Sequence, residues 1–138
     1  MTIAGMSVIE ILEGQGRGEF TPEEALQAHL DKIEGEDVGA FLRLCPKTSS
    51  GPGLLQGVPV ALGDEICMEG VETTAGSRIL TGFVPPYQAA LVGKLQGAGA
   101  ALVGKTNLTE FGMSFDMDDA VFQRTQNPWR PGTNPGGA

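Results

Sequence analysis

The sequence predicts an α/β fold of partial extent, with helices at the N-terminus followed by a short mixed or parallel sheet with a crossover helix. Three observations predict it. Helical spacing dominates the first 35 residues. Two short apolar runs, Leu55 to Leu62 and Ala100 to Val103, read as buried strands. Between them lies a helical segment from Tyr87 to about Gln96. Strand, helix and strand in that order is the pattern of a parallel pair with a right-handed crossover. A chain of 138 residues fits one small domain. Along it fall N-terminal helices (1–36), a strand and loop (37–56) and an α/β segment (57–138).

The first helix is expected from Met6 to Glu13, with Ile9 and Leu12 on one face, and the Gly14-Gln15-Gly16-Arg17-Gly18 run should break it. Thr21-Pro22-Glu23-Glu24 is a strong helix start. Thr caps, Pro takes the first helical position, and Glu24 reaches back to complete a capping box. That helix should run to Glu34, bury Leu26, Leu30 and Ile33, and stop at Gly35. Ala40 to Leu44 reads as a short strand, and Pro46 to Gly53 as a loop. Leu55 to Leu62 alternates Val58, Val60 and Leu62 with smaller residues. After a loop from Met68 to Ser77, a short helix should reach Thr81. Pro85-Pro86 then opens the crossover helix, with Leu91 and Leu95 inward and Gly97-Ala98-Gly99 at its end. Asn107 to Met113 should form a short helix, and the chain beyond Ser114 should be irregular.

Composition excludes several functions. The net charge is -8 and the pI near 4.5, which argues against gripping phosphate backbones or an anionic membrane surface. No apolar run approaches the roughly 20 residues that span a bilayer, and no basic segment followed by an apolar core opens the chain. These features point to the cytoplasm or an organelle matrix or stroma. Cys45 and Cys67 show no CxxC spacing and read as reduced, buried thiols. His29, the only histidine, falls in a helical pattern at a surface or boundary position, so no Ser-His-Asp arrangement can be built on it.

Two motifs invite sharper readings. Gly104-Lys105-Thr106, with Gly99 five residues before, has the spacing of a phosphate loop. Ala100 to Val103 is an apolar strand where that loop would need a turn, which argues against nucleotide binding. Asp116, Asp118 and Asp119 could be a calcium loop, but the glycine and closing glutamate of an EF-hand are missing. A solvated acidic loop is the better reading, and no metal or cofactor is expected.

Several stretches together carry a family resemblance. They are Gly57-Val58-Pro59-Val60-Ala61-Leu62-Gly63-Asp64-Glu65, Thr73-Thr74-Ala75-Gly76-Ser77-Arg78, Gly104-Lys105-Thr106-Asn107-Leu108-Thr109-Glu110-Phe111-Gly112-Met113, Asn127-Pro128-Trp129 and Pro135-Gly136-Gly137. In these the chain resembles the amidase signature family. Within it, the chain is most similar to the first third of the A subunit of the glutamyl-tRNA(Gln) amidotransferases. The resemblance implies catalysis by a serine, a second serine held by a cis peptide, and a proton-shuttling lysine. It puts that lysine at Gly63, which has no proton to shuttle. Asp64 matches the family's aspartate, and Glu65 replaces its asparagine. Both serines would lie beyond Gly137, with Ala138 at the first position of their loop.

The resemblance therefore assigns no catalytic residue here. It leaves Gly63 as a degenerate lysine position among the family-matching neighbours Asp64, Thr74, Gly76 and Ser77. It treats Lys105 as part of a structural Gly-Lys-Thr-Asn turn. The Thr73 to Arg78 stretch is read as a tight turn rather than a cleft wall, and Trp129 as a packing residue. Ser114 to Asp119 has lost the family's small, hydroxyl-rich character. A helix that family members carry before the Gly57 strand is missing. A third of such a fold would leave a sheet face and edge uncovered, which implies a further subunit or a second copy as cover. The expected function is a non-catalytic amidase-like subunit of a larger assembly. The alternative is the N-terminal piece of a split or truncated amidotransferase of this kind, hydrolysing glutamine or an amide once another chain completes it.

Overall fold

Each helix start in the N-terminal region is fixed by a serine or threonine that serves the first turn. The computed structural model describes residues 2–35, 38–48 and 51–136. A 3-10 turn, Ile3–Gly5, leads into α1, Val8–Gly16. Ser7 caps α1 in a full capping box: its hydroxyl accepts from the Glu10 N–H, and the Glu10 carboxylate accepts from the Ser7 N–H at 2.7 Å. In α2, Pro22–Gly35, Thr21 and Glu24 exchange the same two bonds, at 2.7 and 3.2 Å.

Glycine does not break α1 where expected. The helix runs through Gly14 and Gly16 because Gly14 is buried against a ring. A Cβ at Gly14 would stand 2.5 Å from Phe20 Cε1, so the missing side chain makes room for the phenylalanine. The buried stripe of α2 is Ala25 and Leu26, with Leu30 and Ile33 half-buried.

The sheet has three strands, β1 (Phe41–Lys47), β2 (Pro59–Gly63) and β3 (Ala101–Thr106), in the order β1-β3-β2. Between β2 and β3 the Ala101 N–H donates to Val58 O and the Asp64 N–H to Thr106 O. Both partners advance together, so this pair is parallel. The Asn107 N–H donates to Ala40 O, and Gly104 lies against Arg43 O and Leu44 Cα. Numbers there run in opposite senses, so β1 is antiparallel to β3 and the sheet is mixed.

β1 is longer than expected and includes Pro46. As an edge strand it can carry a residue with no N–H to offer a neighbour. The loop expected from Pro46 therefore starts later, and its Ser49 and Ser50 lie outside the described residues. β2 is shorter at its start. Leu55 to Gly57 form a turn, and Gly57 takes φ +65 with no room for a Cβ beside Pro22. β3 runs on through Gly104-Lys105-Thr106, which is strand rather than turn.

The crossover helix α3, Ala90–Gly97, starts three residues later than expected. Its buried residue is Val92, while Leu91 is half exposed at 49%. Neighbours on a helix point about 100° apart, so one step along the chain decides which of the two is covered. Where a short helix was expected after Asn107, a 3-10 turn spans Glu110–Gly112, and another spans Met117–Asp119.

The chain divides into two compact units. The first is Met1–Glu36, Cys45–Ala61 and Ala90–Val103, and its core gathers Ile11, Phe20, Ala25 and Val58, flanked by Ile3, Met6, Leu12, Leu55 and Val60. The second is Asp37–Leu44, Leu62–Ala89 and Gly104–Ala138. Its interior holds Leu62, Met68 and Met117 together with buried Asp64, Thr73, Thr74, Ser77, Lys105 and Thr109. Buried polar groups must find partners, and their pairing organises this second unit. Among the described residues no helix is long and apolar enough to cross a membrane. Cys45 and Cys67 are both half-buried, and no disulfide joins them.

Candidate functional site

Asp64, one residue past the end of β2, is the centre of the second unit. It is fully buried. One carboxylate oxygen, Oδ1, accepts from Arg43 Nη1 and, at 3.2 Å, from Lys105 Nζ. The other, Oδ2, accepts from the Thr74 N–H at 2.9 Å and from the Thr74 hydroxyl. Lys105 is itself fully buried and also donates to Thr73 Oγ1 at 3.1 Å. Arg43 turns its second nitrogen to Glu72 at 3.2 Å. Two cations therefore face two carboxylates, each with fixed donors or acceptors. That is the arrangement in which buried charge is tolerable. Lys105 is locked in this network and takes no part in lining the nearby cavity.

The turn after Thr74 closes the network. Ala75 and Gly76 both take positive φ, 49 and 69. A Cβ at Gly76 would stand 2.7 Å from Leu108 O and 2.8 Å from Thr109 O, so only glycine fits. Ser77, fully buried, donates to Glu110 Oε1 at 2.6 Å and accepts from the Ile79 N–H. The Thr73 to Arg78 stretch is thus a tight turn. Of the family-matching residues, Asp64 and Thr74 are brought into direct contact, and Gly76 and Ser77 anchor the segment around Thr109 and Glu110.

Gly63 and Glu65 lie elsewhere, on a cavity of about 510 Å³ that Thr106, Asn107, Thr109 and Gly136 also line. A Cβ at Gly63 would stand 2.5 Å from Glu65 Oε1 and 2.7 Å from its Cδ. The Glu65 carboxylate thus covers the place where a longer side chain at position 63 would begin. Glu65 is the one ionisable group among the described lining residues, and it makes no hydrogen bond or ion pair among them. Asn107 is held by its amide nitrogen, which donates to Gln123 O at 2.8 Å and Thr125 Oγ1 at 2.9 Å. Its Oδ1 is buried without a hydrogen-bond partner. The hydroxyls on the cavity are committed: Thr109 Oγ1 donates to Ser114 O, Thr106 Oγ1 to Leu62 O and Ser114 Oγ to Asp119 Oδ2.

The acidic loop is a set of local turns. The Asp118 N–H donates to Asp116, and Arg124 pairs with Asp118 at 2.6 Å. No grouping of His, Cys, Asp and Glu suited to a metal occurs among the described residues. Trp129 departs from expectation. It is 93% exposed, because the Asn127 side chain turns the chain by accepting from the Trp129 and Arg130 N–H groups and no described neighbour covers the ring. Gly137 and Ala138, where the serine loop was expected to open, lie outside the described residues.

Sequence reasoning did not find Arg43, Glu72 or Asn107. Arg43 had one local signal, a cation inside the apolar run Phe41-Leu42-Arg43-Leu44. Asn107 had none, since its role depends on Gln123 and Thr125.

The family model described as Amidase matches residues 42–138. The A subunit of glutamyl-tRNA(Gln) amidotransferase from Alkaliphilus metalliredigens is 37% identical over 154 aligned positions, covering all of this chain and 31% of that protein. Its counterpart from Thermus thermophilus is 44% identical over 137 positions, covering 94% of this chain and 29% of that protein. The chain thus spans about a third of these relatives. The first alignment is longer than the 138-residue chain, so that relative carries residues this chain lacks. The crystal structure of the same amidotransferase subunit from Thermotoga maritima superposes with a TM-score of 0.84 at 33% identity, over 98% of this chain and 30% of that one. Native peptide amidase from Stenotrophomonas maltophilia superposes with a TM-score of 0.82 at 30% identity, over 97% of this chain and 32% of that one. This chain belongs to the amidase family, and matches the N-terminal third of its glutamyl-tRNA(Gln) amidotransferase members.

Proposed function

We propose that this chain is a non-catalytic amidase-like protein that serves as a structural or binding component of a larger assembly. The observation that carries the reading is Gly63. The resemblance puts the family's lysine there, and the Glu65 carboxylate covers the spot instead. The cavity beside it offers an acid and committed hydroxyls, with no amine among its described lining residues to shuttle a proton. Large apolar side chains of the second unit support the partner half of the reading: Met113, Phe115 and Trp129 are 84%, 81% and 93% exposed. Exposed apolar groups of this kind suit a partner surface, either another protein or a second copy. The acidic charge makes nucleic acid an unsuitable direct partner.

Native mass spectrometry of the protein, gently purified from its source, tests this. A defined complex with other chains or with itself is expected. A monomer that binds nothing at cellular concentration overturns the reading.

A second reading rests on the relatives. The amidotransferase proteins match this chain over about 30% of their own length. The chain would then be the N-terminal piece of such a protein, completed by a segment carrying the serines. Amide or glutamine hydrolysis in a reconstituted complex, abolished by replacing those serines, is the expected result. Hydrolysis that survives their replacement would count against it.

A further inference from the structure

We infer that the segment Glu110 to Met113 is a flap on the cavity of the second unit, latched against the Ala75 to Ser77 turn and free to open while the sheet stays folded. The inference concerns a motion of the cavity wall, so it goes beyond the proposed role and holds with or without a partner. Thr109 supplies the hinge. Its buried hydroxyl donates to Ser114 O at 2.7 Å and accepts from the Ser114 N–H at 3.2 Å. One side chain thus pinches together the two ends of the loop that holds Glu110, Phe111, Gly112 and Met113. Phe111 and Gly112 line the cavity from within this loop, and Thr109 and Ser114 line it at the pinch.

Two bonds form the latch. The Phe111 N–H donates to Ala75 O at 2.8 Å, and the Ser77 hydroxyl donates to Glu110 Oε1 at 2.6 Å. The backbone bond joins two strained residues, Ala75 at φ 49 and Phe111 at φ 52. A side chain makes the left-handed region costly, and a bulky ring there is an outlier. Such conformations persist only where the surroundings impose them. Breaking the Ala75–Phe111 bond lets both residues relax, so the strain favours opening and the latch opposes it. All four flap residues are exposed, so no buried apolar contact reinforces the latch, and a segment held in this way opens locally. Met117, which is buried, lines the same cavity. Opening the flap gives solvent a route to it.

Native-state hydrogen exchange of the full chain, read by NMR, tests the motion. The Phe111, Gly112 and Met113 N–H groups donate to Ala75 O, Thr109 O and Glu110 O. They are expected to exchange as a group, at rates that low urea leaves unchanged, because local opening exposes little surface. The Asp64 N–H, bonded to Thr106 O in the sheet, should instead speed up steeply with urea. Ser77→Ala removes half of the latch and should lower protection of the three flap amides by about tenfold, the loss expected for a bond to a charged acceptor. Glu110→Gln weakens the same bond from its exposed side and gives the readout if Ser77→Ala does not fold. Phe111→Gly relieves the strain, and its flap amides should be about fivefold better protected than those of Phe111→Ala. Oxidation by hydrogen peroxide, read by peptide mass spectrometry, links the flap to the cavity. Ser77→Ala should speed oxidation of Met117 while leaving that of exposed Met113 unchanged. Flap amides that follow Asp64 in urea overturn the inference, since only global unfolding would then expose them. Equal protection in Phe111→Gly and Phe111→Ala overturns it too, as does a Met117 oxidation rate that the latch variants leave unchanged.

Discussion

Replacing Asp64 by asparagine tests whether the second unit is organised around a buried charge. The side chains are isosteric, so shape is kept and only charge and donor pattern change. In the native arrangement all four partners are donors: Arg43 and Lys105 at Oδ1, the Thr74 N–H and hydroxyl at Oδ2. Asparagine must turn an NH2 toward one of those two pairs. Facing Thr74, it confronts a backbone N–H that cannot rotate. Facing the cations, it leaves Lys105, fully buried, with no anion. Arg43 suffers less, because it keeps Glu72.

Breaking a buried pair by removing one partner costs about 3–5 kcal/mol. With a urea m value of about 2 kcal/mol/M, a loss near 4 kcal/mol lowers the unfolding midpoint by about 2 M. Urea denaturation followed by far-UV circular dichroism reads this directly. Lys105→Met provides the coupling term. The double variant Asp64→Asn/Lys105→Met should be less destabilised than the sum of the two single variants, because the stranded cation is gone. A midpoint within about 0.5 M of the parent, the equivalent of about 1 kcal/mol, would refute the reasoning. So would strict additivity.

Two further predictions concern the first unit. Gly14→Ala gains up to about 1 kcal/mol of helix propensity but drives a Cβ into the Phe20 ring, 2.5 Å from Cε1. Overpacking costs about 1–3 kcal/mol, so a net loss of up to about 2 kcal/mol is expected by urea denaturation, and a more stable variant would contradict the packing. Glu10 titrates below its ordinary range, first because it accepts the Ser7 backbone N–H and then the Ser7 hydroxyl. Its folded pKa is depressed, so its contribution to stability is present above the unfolded value and fades as pH falls through the folded one. Ser7→Ala removes the hydroxyl alone, and the Glu10 carboxyl midpoint in a carbon-detected NMR titration should rise part of the way back. An unchanged midpoint would show that the hydroxyl has no share in the shift.

Features set by neighbours in sequence could be read from it. The Thr21 to Glu24 cap is complete within four residues, and α2 starts where that motif puts it. The parallel pairing of β2 and β3 followed from two apolar runs and the helix between them. The end of α1 could not be read, because glycine's local penalty is offset by Phe20, which packs into the space Gly14 leaves. The strand through Pro46 was hidden for a similar reason: only the strand order makes β1 an edge. The Asp64 network was least legible. Arg43 and Lys105 stand 21 and 41 residues from Asp64, and no periodicity links positions so far apart. Lys105 reads as part of a turn in the sequence because its Gly and Thr neighbours suit one. Burial on a central strand gives it a different task.

Gly63 and Glu65 are best understood as one change rather than two. In the present arrangement a Cβ at position 63 and the Glu65 carboxylate claim the same space. Glu65 is exposed, so a lysine at 63 could displace it, but the new ammonium would then meet a carboxylate two residues away. An ion pair there favours the protonated lysine, whereas a proton shuttle must also populate the neutral form. Gly63→Lys alone is therefore a poor probe of latent amidase chemistry. The informative variant is Gly63→Lys with Glu65→Asn, which places at both positions the residues the resemblance expects and removes the competing charge.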